Sequence, residues 1–189
     1  MIEASTVGII LLAAGLSTRF GEADKLLHPF SGVPLIDHAA AMAAGIGFGA
    51  HVAVVHGKAA ERLPGCFEKV YNPRPEAGLS GSLGLGTAPL ARRAGIEACM
   101  VVLADMPLVS RDHLLALLDA FPAGDPQAIL GTGDAGRARV PAMFGKGRFA
   151  ELMALSGDRG AQTMLRGAPA IACDPALLAD FDEDADFPA

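Results

Sequence analysis

Apolar and polar positions alternate along the chain in blocks, and each block names an element. Thr6–Ala14 is a nearly unbroken oily run rich in Val, Ile and Leu, the pattern of a strand covered on both faces. Pro34–Gly45 follows with helical character, Pro34 suiting the first turn and Gly45 the end. His51–His56 and Phe67–Asn72 read as further strands, and residues 81–93 as a helix in spite of their glycines. Ala98–Asp105 is another oily strand, and Ser110–Phe121 a helix with Ser110 as its N-cap. Beyond it the pattern predicts strands over 127–132 and 139–144, helices over 146–157 and 158–167, and a last strand over 169–174.

The resulting order, β-α-β-β-α-β-α and then a less regular half, implies an α/β sandwich with a largely parallel sheet. A chain of 189 residues without an internal repeat or a dividing linker suits one domain spanning 1–189. Hydrophobic residues make up 51% and charged residues 19%, which argues for a packed globule and against disorder. The net charge of −6 resides in the tail: Asp174, Asp180, Asp182, Glu183, Asp184 and Asp186 face no Lys or Arg after residue 173. The remaining chain is balanced, which argues against an electrostatic nucleic-acid surface. Cys66, Cys99 and Cys173 form no metal spacing; Cys99 and Cys173 read as small packed hydrophobes, a reading also open to Cys66, consistent with a reducing, cytoplasmic setting. The first oily run is too short and glycine-broken to span a bilayer, so no membrane association is expected.

In parallel sheets ligands gather where strands end, so the residues just after each oily run matter most. After the first strand, Ala13, Ala14 and Gly15 carry little side-chain bulk, and Ser17, Arg19 and Lys25 follow. Backbone amides in such a turn suit phosphate oxygens, and the two cations suit their charge. An ordinary turn with solvated cations fits the composition equally well. Asn72, Gly78, Ser80 and Ser82 precede the second long helix, whose N-terminus favours an anion; a plain capping segment is the alternative. Asp105 closes an oily strand, as a Mg²⁺ ligand or as a turn residue before Pro107. The five histidines show no ligand spacing, and Ser17 lacks the setting of a hydrolase nucleophile.

Together these segments resemble a known family. LLAAGLSTRFGEADK is similar to the LAAGxSxRxGxxK signature of nucleotidyltransferases, with Gly15, Ser17, Arg19, Gly21 and Lys25 on pattern and one extra residue before the lysine. VVLADMPLV resembles that family's LADxP segment, and NPRPEAGLSGSL the stretch between the two. LSGDRGAQTML and DFDEDADF are similar to segments of the branch that makes molybdenum cofactor dinucleotides, above all the cytidylyltransferase. Gln162 stands where that branch has arginine, and Glu183 where it has threonine.

The resemblance implies a Rossmann-like three-layer sandwich of the MobA-like kind. It implies transfer of a nucleoside monophosphate, CMP from CTP, to the phosphate of a molybdopterin-type acceptor, with Mg²⁺ or Mn²⁺ and release of pyrophosphate. On it, Arg19, Lys25 and Asp105 are catalytic; Ala13, Ala14, Gly15, Ser17, Asn72, Gly78, Ser80 and Ser82 hold the nucleotide. Asp105 with Asp180 or Asp182 holds the metal, and Asp158, Arg159 and Gly160 lie near the acceptor. The partners it implies are a small nucleotide, a phosphorylated acceptor, and a molybdoenzyme or its chaperone. Alternatives are guanylyl transfer, a sugar- or alditol-phosphate acceptor, and a nucleotide-binding accessory protein without turnover.

Overall fold

The computed structural model describes residues 1–16, 24–133, 137–179 and 181. Val7–Ala13 (β1), Ala50–Val55 (β4), Phe67–Tyr71 (β5), Ala98–Leu103 (β6), Ile129–Thr132 (β7), Arg139–Gly145 (β8) and Ala170–Ile171 (β9) form one seven-stranded sheet. Its order is β5-β4-β1-β6-β8-β7-β9. β1 pairs in parallel with β4 and β6, β4 with β5, and β7 with β9; β8 alone runs against its neighbours. The reason is local. Only a handful of residues separate β7 from β8, too few for the crossover that a parallel return needs. A two-strand hairpin, Pro29–Phe30 (β2) and Val33–Pro34 (β3), precedes the first helix and has no counterpart in the sequence reading.

Leu35–Ala44 (α1) and Arg111–Ala120 (α3) cover one face of the sheet; Leu79–Ala91 (α2) and Phe149–Ala154 (α4) cover the other, with Gln162–Leu165 (α5). All of β1 is buried, and its period of two divides the oily run between the layers. Ile9 and Leu11 pack toward Leu35, Ile36, Leu114 and Leu117, whereas Ile10 and Leu12 pack toward Leu83, Leu90 and Phe149. This double burial is why the strand shows no polar alternation.

The expected elements exist with shifted ends. Pro34 is the N-cap of α1 and not a first-turn residue. Ser110 caps α3, its Oγ accepting the His113 N–H at 3.2 Å. The helices expected over 146–157 and 158–167 shrink to Phe149–Ala154 and Gln162–Leu165, and the last strand to two residues. α2 tolerates its glycines because it lies close against the sheet: a Cβ on Gly86 would sit 2.5 Å from Ile10 Cγ2 and 2.9 Å from Val54 Cγ2. Cys99 is buried as expected, and burial pushes its thiol pKa up; Cys173 is only half-buried, and Cys66 is exposed. No helix among the described residues is long and apolar enough to cross a membrane.

Candidate functional site

Residues from three strand ends converge on the carboxyl side of the sheet. After β1 the chain passes through Ala14 and Gly15. It is described again from Asp24, whose Oδ1 accepts the Leu26 N–H at 3.1 Å and caps the single turn Lys25–Leu27. Leu26 is buried in the core, so this turn is anchored from below. Its position brings Lys25 Nζ to 2.8 Å from Asp105 Oδ2. Both side chains are largely withdrawn from solvent, at 10% and 23% exposure, which strengthens their attraction over that of a surface pair. Asp105 itself follows β6, which is tied to β1 through the Ala104 N–H to Leu12 C=O bond of 3.0 Å. Asp105 Oδ1 is buried and has no hydrogen-bond partner among the described residues.

A cavity of about 440 Å³ opens beside this pair. Ala14, Gly15, Gly78, Ser82, Asp105 and Asp158 line it. Gly78 starts α2 with φ +85, a conformation that favours glycine, and a Cβ there would run into Asp158. The Ser80 N–H donates to the Gly157 C=O at 3.2 Å, so the loop carrying Asp158 is fastened to the helix start. Ser82 is held from behind: Asn72 Nδ2 donates to its Oγ at 3.0 Å, and Asn72 Oδ1 accepts the Arg74 N–H at 2.9 Å.

Leu79 and Leu103 also line a second cavity, of about 710 Å³, so the two share a wall. Arg137, Arg139, Arg159 and Arg166 open onto this second space. Gly160 is buried against Leu79, at the boundary of the two cavities.

The expected residues therefore separate by position. Ala14, Gly15, Gly78, Ser82 and Asp105 stand on the first cavity together with Asp158, which was expected near an acceptor. Arg159 stands on the second. Ala13, Asn72 and Ser80 are buried behind the wall, and Gly160 packs beneath it; none of the four lines either cavity. Ser17, Arg19, Asp180 and Asp182 lie outside the described residues. Between the two tail aspartates in sequence, Phe181 is described: its N–H donates to the Asp105 C=O at 3.2 Å, and its ring packs on Phe30 at 4.8 Å. Sequence reasoning missed Arg137, Arg139 and Arg166.

The described residues offer a hard divalent cation one carboxylate oxygen. Asp105 Oδ1 is an oxygen without a partner, and no cluster of three His, Cys, Asp or Glu side chains able to hold a metal exists among the described residues. Such a site would complete its shell with substrate phosphates and water, the habit of Mg²⁺.

A mostly parallel sheet with this cleft at its strand ends is the architecture of the nucleotidyltransferases. The chain belongs to the MobA-like NTP transferase family, whose domain matches residues 9–174. It is 35% identical over 136 residues to the bifunctional protein GlmU of Agrobacterium fabrum, a match covering 69% of this chain and 29% of that protein. The chain thus spans under a third of the length of that relative. Among solved structures, Rv0371c from Mycobacterium tuberculosis H37Rv superposes with a TM-score of 0.81 at 23% identity, covering 98% of this chain and 96% of the other. A manganese complex of Rv0371c superposes at 0.69 and 22% identity, covering 89% of each chain. The molybdopterin-guanine dinucleotide biosynthesis protein A of Archaeoglobus fulgidus superposes at 0.64 and 15% identity, covering 95% and 94%.

Proposed function

We propose that this chain, as one catalytic domain over 1–189, transfers CMP from CTP to the phosphate of a molybdopterin-type acceptor and releases pyrophosphate. The observation that carries the reading is the meeting of Lys25 and Asp105, which come from loops 80 residues apart, at the mouth of a glycine-lined cavity.

In this reading the triphosphate lies along Ala14 and Gly15, with its nucleoside toward Gly78 and Ser82. A terminal oxygen of the acceptor phosphate attacks the α-phosphorus. The bond to the bridging oxygen of the β-phosphate breaks, and its electron pair leaves with pyrophosphate. The acceptor phosphate is already ionised near neutrality, so no residue has to remove a proton. Lys25 and Arg19 neutralise the charge that grows on the departing pyrophosphate, the kind of preorganised stabilisation that usually contributes most to such reactions. Asp105, with Asp180 or Asp182, would hold Mg²⁺ or Mn²⁺, which when bound makes the α-phosphorus more electrophilic. Two observations support the tail's part. Phe181 is bonded to the Asp105 backbone, and Asp105 has an oxygen with no partner among the described residues. Ser80 and Asn72 act from behind, by fixing the start of α2 and the Ser82 hydroxyl. Asp158 and Arg159 form the passage from nucleotide to acceptor, with Gly160 packed against Leu79 beneath it.

The likeness to a molybdopterin-guanine protein favours one further reading, in which GTP replaces CTP and the acceptor is unchanged. Pyrophosphate release measured with each of four nucleoside triphosphates and molybdopterin separates the two. Turnover with CTP supports the first reading and turnover with GTP the second. Tight nucleotide binding without turnover under any pairing refutes both and leaves an accessory protein. Asp105→Asn is expected to cut turnover by about 10²–10³-fold, the usual loss when one group is removed from a preorganised charge-stabilising site.

A further inference from the structure

Four of the chain's eleven arginines line one cavity of about 710 Å³, and among the described residues none of the others lining it is acidic. Half of the other described arginines are paired with a carboxylate, and Arg92 and Arg111 bond backbone carbonyls. Arg62, Arg93 and Arg148 each have a carboxylate partner in Asp37, Glu68 and Glu151. Arg137, Arg139, Arg159 and Arg166 form no ion pair or side-chain hydrogen bond among the described residues. Gathering four like charges in a concave, partly apolar space is unfavourable for the empty protein, and an anion that enters relieves the repulsion.

The four are not equivalent. Arg159 follows Asp158, which lines the neighbouring nucleotide cavity, so Arg159 lies at the junction. Arg137 and Arg139 also line a small third cavity of about 90 Å³, with Gly133, Cys173 and Pro175. They therefore stand at the margin away from the junction. Arg166 joins them through the antiparallel backbone bridge between Arg137 and Arg166. One phosphate monoester at the junction, with at most two charges, leaves the marginal arginines without a counter-charge.

We propose that the acceptor carries two anionic groups: the reacting phosphate beside Arg159, and a second anion held by Arg137, Arg139 and Arg166. This rests on the transferase reading for the role of the junction, but its geometry stands on the cavity alone. The second group is an oxyanion of a size a guanidinium fork can grip; guanidiniums favour such planar, paired contacts.

The test uses probes that share a carbon skeleton and differ in charge. Fructose 1,6-bisphosphate is compared with fructose 6-phosphate, and 6-phosphogluconate with glucitol 6-phosphate, by calorimetry on the full chain. The doubly anionic member of a pair is expected to bind at least about tenfold tighter than its partner. A preference confined to the bisphosphate identifies the second group as a phosphate, and one in the phosphogluconate pair admits a carboxylate. Arg137→Gln/Arg139→Gln should abolish the preference while leaving Mg²⁺–CTP affinity unchanged, and the double Lys variant should retain part of it. A thermal melt of each variant confirms that it is folded.

Equal affinities in the wild type, no binding of either probe with two anionic groups, or a preference that survives the Gln variant overturns the proposal. So does an equal fall in nucleotide affinity, which would assign the arginines to the nucleotide. Failure of the transferase reading shows separately, as absent pyrophosphate release with the anion preference intact.

Discussion

The pair of Lys25 and Asp105 makes a quantitative prediction that separates a structural contact from a catalytic one. Exposed ion pairs contribute at most about 1 kcal/mol, whereas removing one partner of a fully buried pair costs about 3–5 kcal/mol. With side-chain exposures of 10% and 23%, this pair lies between those limits, and a coupling of about 2 kcal/mol is expected. For a chain of this length that corresponds to a melting shift of roughly 4–8 °C. Lys25 also makes contacts besides Asp105, so a single substitution mixes several losses. A double-mutant cycle isolates the pairwise part. Urea unfolding of Lys25→Met, Asp105→Asn and the double variant, without ligand, should show the double variant more stable than the sum of the singles predicts. Asparagine keeps the shape of the aspartate and removes its charge, so the cycle reports the charge–charge contact. The double variant should recover much of the stability lost in Asp105→Asn but none of its pyrophosphate release. A coupling below about 0.5 kcal/mol would show that the two groups do not meet in solution. Recovery of turnover in the double variant would show that Asp105 serves only to neutralise Lys25.

Two further expectations come from packing and protonation. Within α2, Gly86→Ala forces a Cβ against Ile10 and Val54, an overpacking cost of about 1–3 kcal/mol against a helix gain of about 1 kcal/mol. Gly84→Ala meets the backbone of Met153 at 3.4 Å and 3.5 Å and of Leu152 at 3.8 Å, ordinary contact distances, and should stabilise by about 0.5–1 kcal/mol. Urea titrations of the two variants should therefore move in opposite directions. His113 is buried and its Nε2 lies 2.7 Å from Thr132 Oγ1, which itself donates to the Pro141 C=O. The ring nitrogen is therefore the donor to Thr132, and burial holds the His113 pKa below its ordinary 6.5. A depressed histidine favours folding fully above the unfolded value and loses that contribution as pH falls through the folded one. The stability difference between wild type and His113→Gln should thus shrink from pH 7.5 to pH 5.5; a difference that holds constant or grows would refute the assignment.

The hydrophobic pattern determined a good deal unaided. The strand at Thr6–Ala14 had to be buried on both faces because no polar residue interrupts it, and its continuation had to leave the sheet where Gly15 begins a loop. Asp105 was legible as a strand-end carboxylate for the same local reason. The ends of elements were less legible: α2 begins at Leu79 and not two residues later, because Gly78 can take a positive φ against Asp158. That contact depends on a loop 80 residues downstream, which no local pattern records.

Only the tertiary structure decided that Lys25 reaches Asp105, that Ser80 and Asn72 stand behind the cavity wall, and that β8 reverses direction to bring Arg137 and Arg139 beside Arg159 and Arg166. Periodicity reports which face of an element is oily. Which two distant strand ends become neighbours is set by crossovers and strand order, and the charge of the second cavity exists only once they are in place.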